Sequence, residues 1–455
     1  MALESNTQRL RALPTEPDHG ERVAFNPDGV FYDCAGGNYL VDIGIRFRTY
    51  GRKGPVLEGV TRWHAARGLT GKEAGEAARE DLTSCEVDRA VDWAGDVAGH
   101  GRGLHRSPHG TILVLSSPIL PSPKPGPFPT IAGIIRQGLG AEPEQAEVFT
   151  GWLAHGWRAV REGVHCPAPM MVLAGPPNGG KSLVGWITGQ VLGGRAGSPY
   201  TAWTGTLPWN DDIIGSELLL IDDSVASHDI RARREFAARF KEAIYAPSVQ
   251  LRKRRESSIS VRPVWRVMVC CNDNPESLQI IPPLDDDLAD KVSILRFAPV
   301  VLQLDASGPE GKTELQRIIK GEIPAFTNYL NGFTVAEDLR DTRSGVRAWQ
   351  HPALVESLGA TSPERQLAGM LALLFARGHL PQLDRVETTA ADLEAKLTAP
   401  ESPCRDQARG LLGKWPAACG VYLGKLARTK PELVAAGPQR KGIQTWHVFP
   451  PAEAA

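Results

Sequence analysis

The sequence predicts an α/β protein: a parallel sheet built around a glycine-rich loop, with a mixed α/β region before it and a small helical tail ending in a β-hairpin after it. Three observations predict this. Apolar strand-like runs alternate with helical stretches from residue 169 to about 300, the pattern of a parallel sheet. One of those runs leads into AGPPNGGKS at 174–182, a glycine turn that opens a helix. The last part, 350–455, changes to helical patterns followed by two short strand-like runs.

The chain has 455 residues, enough for two or three domains. Apolar residues make up 42% and charged residues 23%, an ordinary globular balance. The formal net charge is −1, so a nucleic-acid surface would have to come from local clustering of charge. The seven cysteines (Cys34, Cys85, Cys166, Cys270, Cys271, Cys404 and Cys419) form no CxxC pair, which fits a reducing, cytoplasmic compartment. The start, MALESNTQRL, lacks the basic-then-apolar pattern of a signal peptide, and no apolar run is long enough to span a membrane.

Taken in order, residues 1–117 are expected to form an N-terminal accessory or oligomerisation domain. Strands are expected at Val30–Tyr32, Tyr39–Phe47 and Thr111–Leu115, with a helical stretch from Gly59 to Ala98. Six prolines in SSPILPSPKPGPFPT stiffen a linker over 118–130. The core is expected over 131–345. It opens with a helical lead-in whose apolar positions include Phe149, Trp152, Leu153, Trp157 and Val160. Its strands are expected at Met170–Ala174, Leu218–Ile221, Val264–Cys271 and Val292–Phe297. The tail, 350–455, carries helical patterns at Leu367–Ala376, Ala390–Leu397 and Gly420–Ala427. Strands follow at Leu433–Ala435 and Ile443–Phe449, with Gly437, Pro438 and Gly442 turning the chain. Three helices and a hairpin make a winged-helix-like domain.

The glycine turn carries the chemistry. Gly175, Pro176, Pro177, Asn178, Gly179, Gly180, Lys181 and Ser182 satisfy G-x-x-x-x-G-K-[ST]. The glycines let backbone N–H groups wrap phosphate oxygens, and the helix that follows adds its positive N-terminal end. In such a loop Lys181 reaches the β and γ phosphates, and the Ser182 hydroxyl ligates Mg²⁺. A second acidic element is ELLLIDDS, where four apolar residues end in Asp222 and Asp223. In open α/β sheets ligands gather at such strand ends. Asp222 is expected to hold Mg²⁺ through water, and Asp223 to orient or deprotonate the attacking water. A third strand, WRVMVCC, ends in Asn272, whose amide would align that water if the strands are neighbours.

Between the acids and Asn272 the charge reverses. Residues 229–266 hold eleven Lys and Arg against four acids. Apolar and polar residues alternate on both sides of QLRKRRESS, predicting a β-hairpin with a basic tip at Arg252, Lys253, Arg254 and Arg255. Such a tip suits phosphate contacts without sequence preference, although charge runs are more often solvated loops.

The order and content of these elements resemble the superfamily 3 helicase core. That core is shared by papillomavirus and parvovirus replication helicases and by the poxvirus-type primase–helicases of phages, plasmids and satellite elements. The resemblance covers about 130–300 and rests on GPPNGGKS, LLLIDDS, FKEAIYAPSVQLRKRR, RPVWRVMVCCN and DDDLADKVSILRF. It implies an AAA+-like P-loop ATPase, usually a hexameric ring, that uses ATP and Mg²⁺ to pull single-stranded DNA, or a forked duplex, through a pore. It assigns Lys181, Ser182, Asp222, Asp223 and Asn272 the roles above, and places Lys253 and Arg254 on a pore hairpin. The family arginine that acts on a neighbouring subunit's nucleotide is replaced by Lys291. Action in trans therefore falls to Lys291, to Arg296 or to neither. No acidic metal pair precedes residue 130, and His105 and His109 have the wrong spacing for a nickase metal site. The N-terminal region is therefore expected to serve assembly, DNA docking or a primase or initiator partner. Two functions remain: a ring helicase in replication of a mobile element, or an ATP-switched DNA-binding regulatory or defence ATPase that does not unwind.

Overall fold

Runs of consecutive apolar residues that are buried along their whole length can pair only in the middle of a covered sheet. The computed structural model, which describes residues 24–44, 46–107, 110–206, 211–222, 230–252, 258–282, 284, 288–302, 308–360, 362–413 and 416–451, shows this pairing in the centre of the chain. The chain divides into two compact units. The first comprises Met1–Pro118, Trp209–Ser216 and Ser248–Arg262, and the second Ile119–Pro208, Glu217–Pro247 and Pro263–Ala455.

In the first unit, strands β1 (Val30–Asp33), β2 (Asn38–Asp42) and β3 (Phe47–Tyr50) are followed by helices α1 (Lys53–Ala65) and α2 (Gly71–Asp88). Short strands β4 (Ala90–Val91) and β5 (Trp93–Gly95) lead to β6 (Gly103–Ser107) and β7 (Gly110–Val114). These make one sheet in the order β3-β2-β1-β4 and another in the order β5-β7-β6. Val30, Val41, Val56, Val60, Ala78 and Leu82 are completely buried between the first sheet and the two helices. The single helical stretch expected over 59–98 is therefore corrected. Gly68 turns the chain at φ +97°, where glycine has no Cβ penalty. Thr70 and Glu73 then close a capping box that starts α2. Trp93 to Gly95 pair with β7 instead of continuing the helix.

In the second unit, the proline-rich stretch carries no helix or strand until α3 (Pro129–Leu139). Backbone bonds from Ile119 to Gly193 O and from Lys124 to Pro324 O hold it. Helix α4 (Pro143–Glu162) buries Phe149, Trp152, Leu153 and Trp157, and the Trp152 indole donates to Pro169 O at 2.9 Å. Next come β8 (Met170–Ala174), α5 (Lys181–Val191), β9 (Ala196–Gly197) and α6 (Tyr200–Trp203). After α7 (Asp211–Ile214), which belongs to the first unit, β10 (Leu218–Asp222) and α8 (Ile230–Tyr245) return to the second. The chain then contributes the hairpin β11 (Val249–Arg252) and β12 (Ser258–Val261) to the first unit. It resumes in the second with β13 (Arg266–Cys271) and β14 (Val292–Arg296). The core sheet has the order β14-β8-β13-β10-β9, all parallel. Helix α9 (Gly308–Gly332) packs against α3, α4 and α5.

The tail comprises α10 (Pro352–Ala360), α11 (Pro363–Ala376), β15 (Val386–Thr389), α12 (Ala390–Thr398), α13 (Arg405–Leu412), α14 (Ala418–Thr429), β16 (Val434–Arg440) and β17 (Ile443–Val448). Helices α11 to α14 and a three-stranded sheet in the order β15-β17-β16 enclose a core of their own. Strand β15 and helix α13 were not expected from the sequence. The turn is also corrected: Lys441 at φ +52° and Gly442 at φ +80° make it. Gly437 and Pro438 lie inside β16, where the register shifts between Ala436 and Gln439. That irregularity accommodates a proline with no N–H to give to the ladder.

Candidate nucleotide site

Strand β8 is buried along its full length and ends at Ala174, directly below the glycine loop. A Cβ on Gly175 would stand 2.0 Å from Phe297 O, so only glycine lets the loop leave the sheet so close to the end of β14. Asn178 (φ +58°) and Gly180 (φ +100°) are left-handed, and α5 begins at the next residue, Lys181. The loop is pinned from outside by Gly175 N–H to Cys271 O at 3.3 Å and by Val300 N–H to Gly179 O at 3.1 Å. Its shape therefore depends on β13 and on the chain after β14, neither of which is near it in sequence.

The Lys181 ammonium is buried and donates to the carbonyls of Pro176 at 2.7 Å and Gly175 at 3.0 Å. The side chain is thus folded back into the loop it would share with a phosphate. Ser182 is exposed, and its hydroxyl donates to Asp222 Oδ1 at 3.1 Å. A hydroxyl and a carboxylate oxygen at the mouth of a glycine loop are the hard oxygen donors Mg²⁺ takes alongside phosphate. The ammonium, the loop N–H groups and this oxygen pair therefore fit a magnesium nucleotide.

Strand β13 lies between β8 and β10, pairing Cys270 with Asp222 on one side and with Leu173 on the other. Asn272, half-buried, follows β13 directly. The neighbouring strands that the sequence reading required are thus present, and Asn272 emerges between the phosphate loop and the acid strand. Asp223 lies outside the described residues. Cys270 and Cys271 are buried under the loop. Burial pushes the Cys271 thiol up to about 12 against the opposing charge of Lys181, so it packs as a small apolar group.

Lys291 is 8% exposed and pairs with Asp290 at 2.6 Å. Its ammonium also lies 5.6 Å from the Tyr245 ring, which the Arg343 guanidinium stacks on at 4.0 Å. This three-residue stack was not visible in the sequence, because its members are far apart along the chain. Arg296, at the end of β14, is exposed. In the basic hairpin, Arg252 ends β11 opposite Ser258. Lys253, Arg254 and Arg255 lie outside the described residues, as does His109, while His105 bonds to Gly101 O at 2.7 Å.

No family model and no curated protein matches the chain. Solved structures do. The apo structure of the NrS-1 C-terminal region (305–718) is similar at 11% identity and TM-score 0.51, over 93% of this chain and 96% of that one. An A-form apo structure of the same region is similar at 11% identity and TM-score 0.50, over 93% and 97%. At that identity the likeness establishes a shared fold. A weaker one, TM-score 0.42 at 10% identity over 94% of this chain and 93% of the other, is to the SCCmec type IV Cch active helicase, and is too slight to carry an inference. No helix among the described residues is long and apolar enough to cross a membrane.

Proposed function

We propose that the chain is an ATP-dependent, ring-forming DNA helicase or translocase of superfamily 3 type, acting in replication of a phage, plasmid or other mobile element. The observation that carries this reading is the contact between Ser182 and Asp222 at 3.1 Å, which joins the start of the phosphate-loop helix to the end of the acid strand. A glycine loop alone binds nucleotide, but a carboxylate beside its serine supplies what hydrolysis needs. Bound MgATP would supply the phosphoanhydride bond. Lys181 would leave the loop carbonyls for the phosphates, since an ammonium bonds a charged phosphate oxygen more strongly than a neutral carbonyl. Ser182 and Asp222 would hold the metal, and Asp223 and Asn272 would orient the attacking water. DNA would be held at Arg252, Lys253, Arg254 and Arg255. The tail would serve as a winged helix. On its α14, the Lys425 ammonium stands 3.7 Å from Glu364 and the Arg428 guanidinium bonds Gly424 O.

The test is ATP-dependent displacement of a labelled strand from a forked duplex, together with ATP turnover. Wild type should displace the strand, and Lys181→Ala should abolish both activities. One observation favours a second reading, an ATP-switched DNA-binding protein without unwinding. Lys291, where the family places its trans-acting arginine, is buried and paired with Asp290. That leaves Arg296 as the exposed cation on that strand. If wild type binds DNA in an ATP-dependent way yet displaces no strand, the switch reading replaces the motor.

A further inference from the structure

A second charged site lies at the opposite end of the core strands from the glycine loop. Arg266 opens β13, five residues before Cys271 bonds to the phosphate loop. At the rise of a strand this is about 16 Å from that loop. The Arg266 side chain is 1% exposed, and no carboxylate among the described residues pairs with it. One terminal nitrogen donates to Cys166 O at 2.9 Å, while Nε and the other terminal nitrogen have no hydrogen-bond partner among the described residues. A buried cation in this state is costly unless something supplies negative charge nearby.

The guanidinium presses against α4 at Gly156, where a Cβ would stand 2.9 Å from its atoms. The neighbouring residue, His155, lines a cavity of about 430 Å³ between α4 and the segment from Phe333 to Gly345. That volume is in the range of small-molecule sites. Arg158 and Arg340 also line it. Arg158 donates to Phe333 O at 2.7 Å but has a buried Nε without a partner. Arg340 uses its Nε on Val335 O and keeps its terminal nitrogens. Two carboxylates line the cavity as well. Asp341 accepts from the N–H groups of Arg343 and Ser344 and from the Ser344 hydroxyl, which keeps it ionised, so Asp341 and Glu337 both oppose Arg158, Arg340 and the Arg266 charge behind them. Burial first, and then Arg158 and Arg266, press the His155 proton off, so the ring facing the cavity is neutral.

We propose that this cavity binds a phosphate oxyanion, separately from the nucleotide loop, through Arg158, Arg340 and His155, with Arg266 supplying buried positive charge behind them. The source is free phosphate or the phosphodiester of a nucleic acid, and the chemistry is the same for both. The proposal stands whether or not the chain unwinds DNA. Because β13 runs from Arg266 to the residue before Asn272, occupancy would be felt at the nucleotide site through one strand.

The test is thermal unfolding of the full chain with the loop saturated by a non-hydrolysable ATP analogue and Mg²⁺. Inorganic phosphate is titrated at constant ionic strength against chloride. Wild type should show a saturable rise of the midpoint on the order of 2 °C at tenfold excess over half-saturation. Arg340→Gln and His155→Gln should each lose it, whatever their own midpoints. Competition by a single-stranded oligonucleotide assigns the phosphate to a nucleic-acid backbone, and its absence assigns it to the free ion. An equal rise in wild type and both variants would overturn the proposal, as would an equal rise with chloride or a rise that disappears once the analogue is present.

Discussion

At the residue scale, burial sets the protonation behaviour of two side chains, and both can be measured. Cys271 is buried and held protonated up to about 12, whereas Cys34 is exposed to reagent, although burial and the Asp92 and Asp33 carboxylates push its thiol up as well. Only a thiolate attacks a disulfide reagent. In native protein at pH 8, Cys34 should therefore react with an aromatic disulfide reagent at least tenfold faster than Cys270 or Cys271, read by mass spectrometry of labelled peptides. His155 is pushed down to about 4, first by burial and then by Arg158 and Arg266. Its folded pKa lies below the unfolded value of about 6.5, so the unfolded chain binds the extra proton between those limits. Stability should thus fall as pH drops from about 6.5 towards 4. The loss in denaturant midpoint between pH 7 and pH 5 should be smaller in His155→Gln than in wild type.

At the element scale, caps and close approaches built from distant residues decide where helices and loops begin. The Glu322 carboxylate, on α9, accepts from Thr130 N–H at 3.1 Å and Ile131 N–H at 2.9 Å, and so caps the start of α3. Removing a buried acceptor of two N–H groups leaves both unsatisfied. Glu322→Ala should destabilise the second unit by about 1–3 kcal/mol in denaturant unfolding, with little change in slope. Strands β8, β10 and β13 are legible because each carries a continuous apolar run, and Met170–Ala174 matches its observed bounds, whereas β9 (Ala196–Gly197) is two residues long and gives no such signal. The glycine loop was legible because its residue types serve the backbone directly. The break within 59–98 was missed because both helices share an Ala-, Glu- and Arg-rich composition, and one left-handed glycine separates them. Strand β15, VETT, is four residues long and takes its identity from pairing with β17. The proposed anion cavity had no sequence signal, since Arg266 reads as part of a basic run and only the fold buries its guanidinium against carbonyl oxygens.

For the whole molecule, the chain twice leaves the unit that holds the phosphate loop, at 209–216 and 248–262, and twice returns, into β10 and towards β13. Those two strands end in Asp222 and lead to Asn272, so the basic hairpin is covalently tied to the strand whose end bonds the glycine loop. In the proposed motor, this connection would pass a change at the phosphates to a DNA-holding finger. Replacing Lys253, Arg254 and Arg255 together by Gln should weaken single-stranded DNA binding and reduce the slope of log affinity against log salt by about 2, at about 0.7 per phosphate contact. An unchanged slope would place the DNA contact elsewhere. The most direct test of the central claim is the steady-state rate of ATP hydrolysis by the full chain with and without single-stranded DNA. Several-fold stimulation by DNA is expected, lost in Lys181→Ala and reduced in the hairpin variant. Equal turnover in the presence and absence of DNA would contradict it.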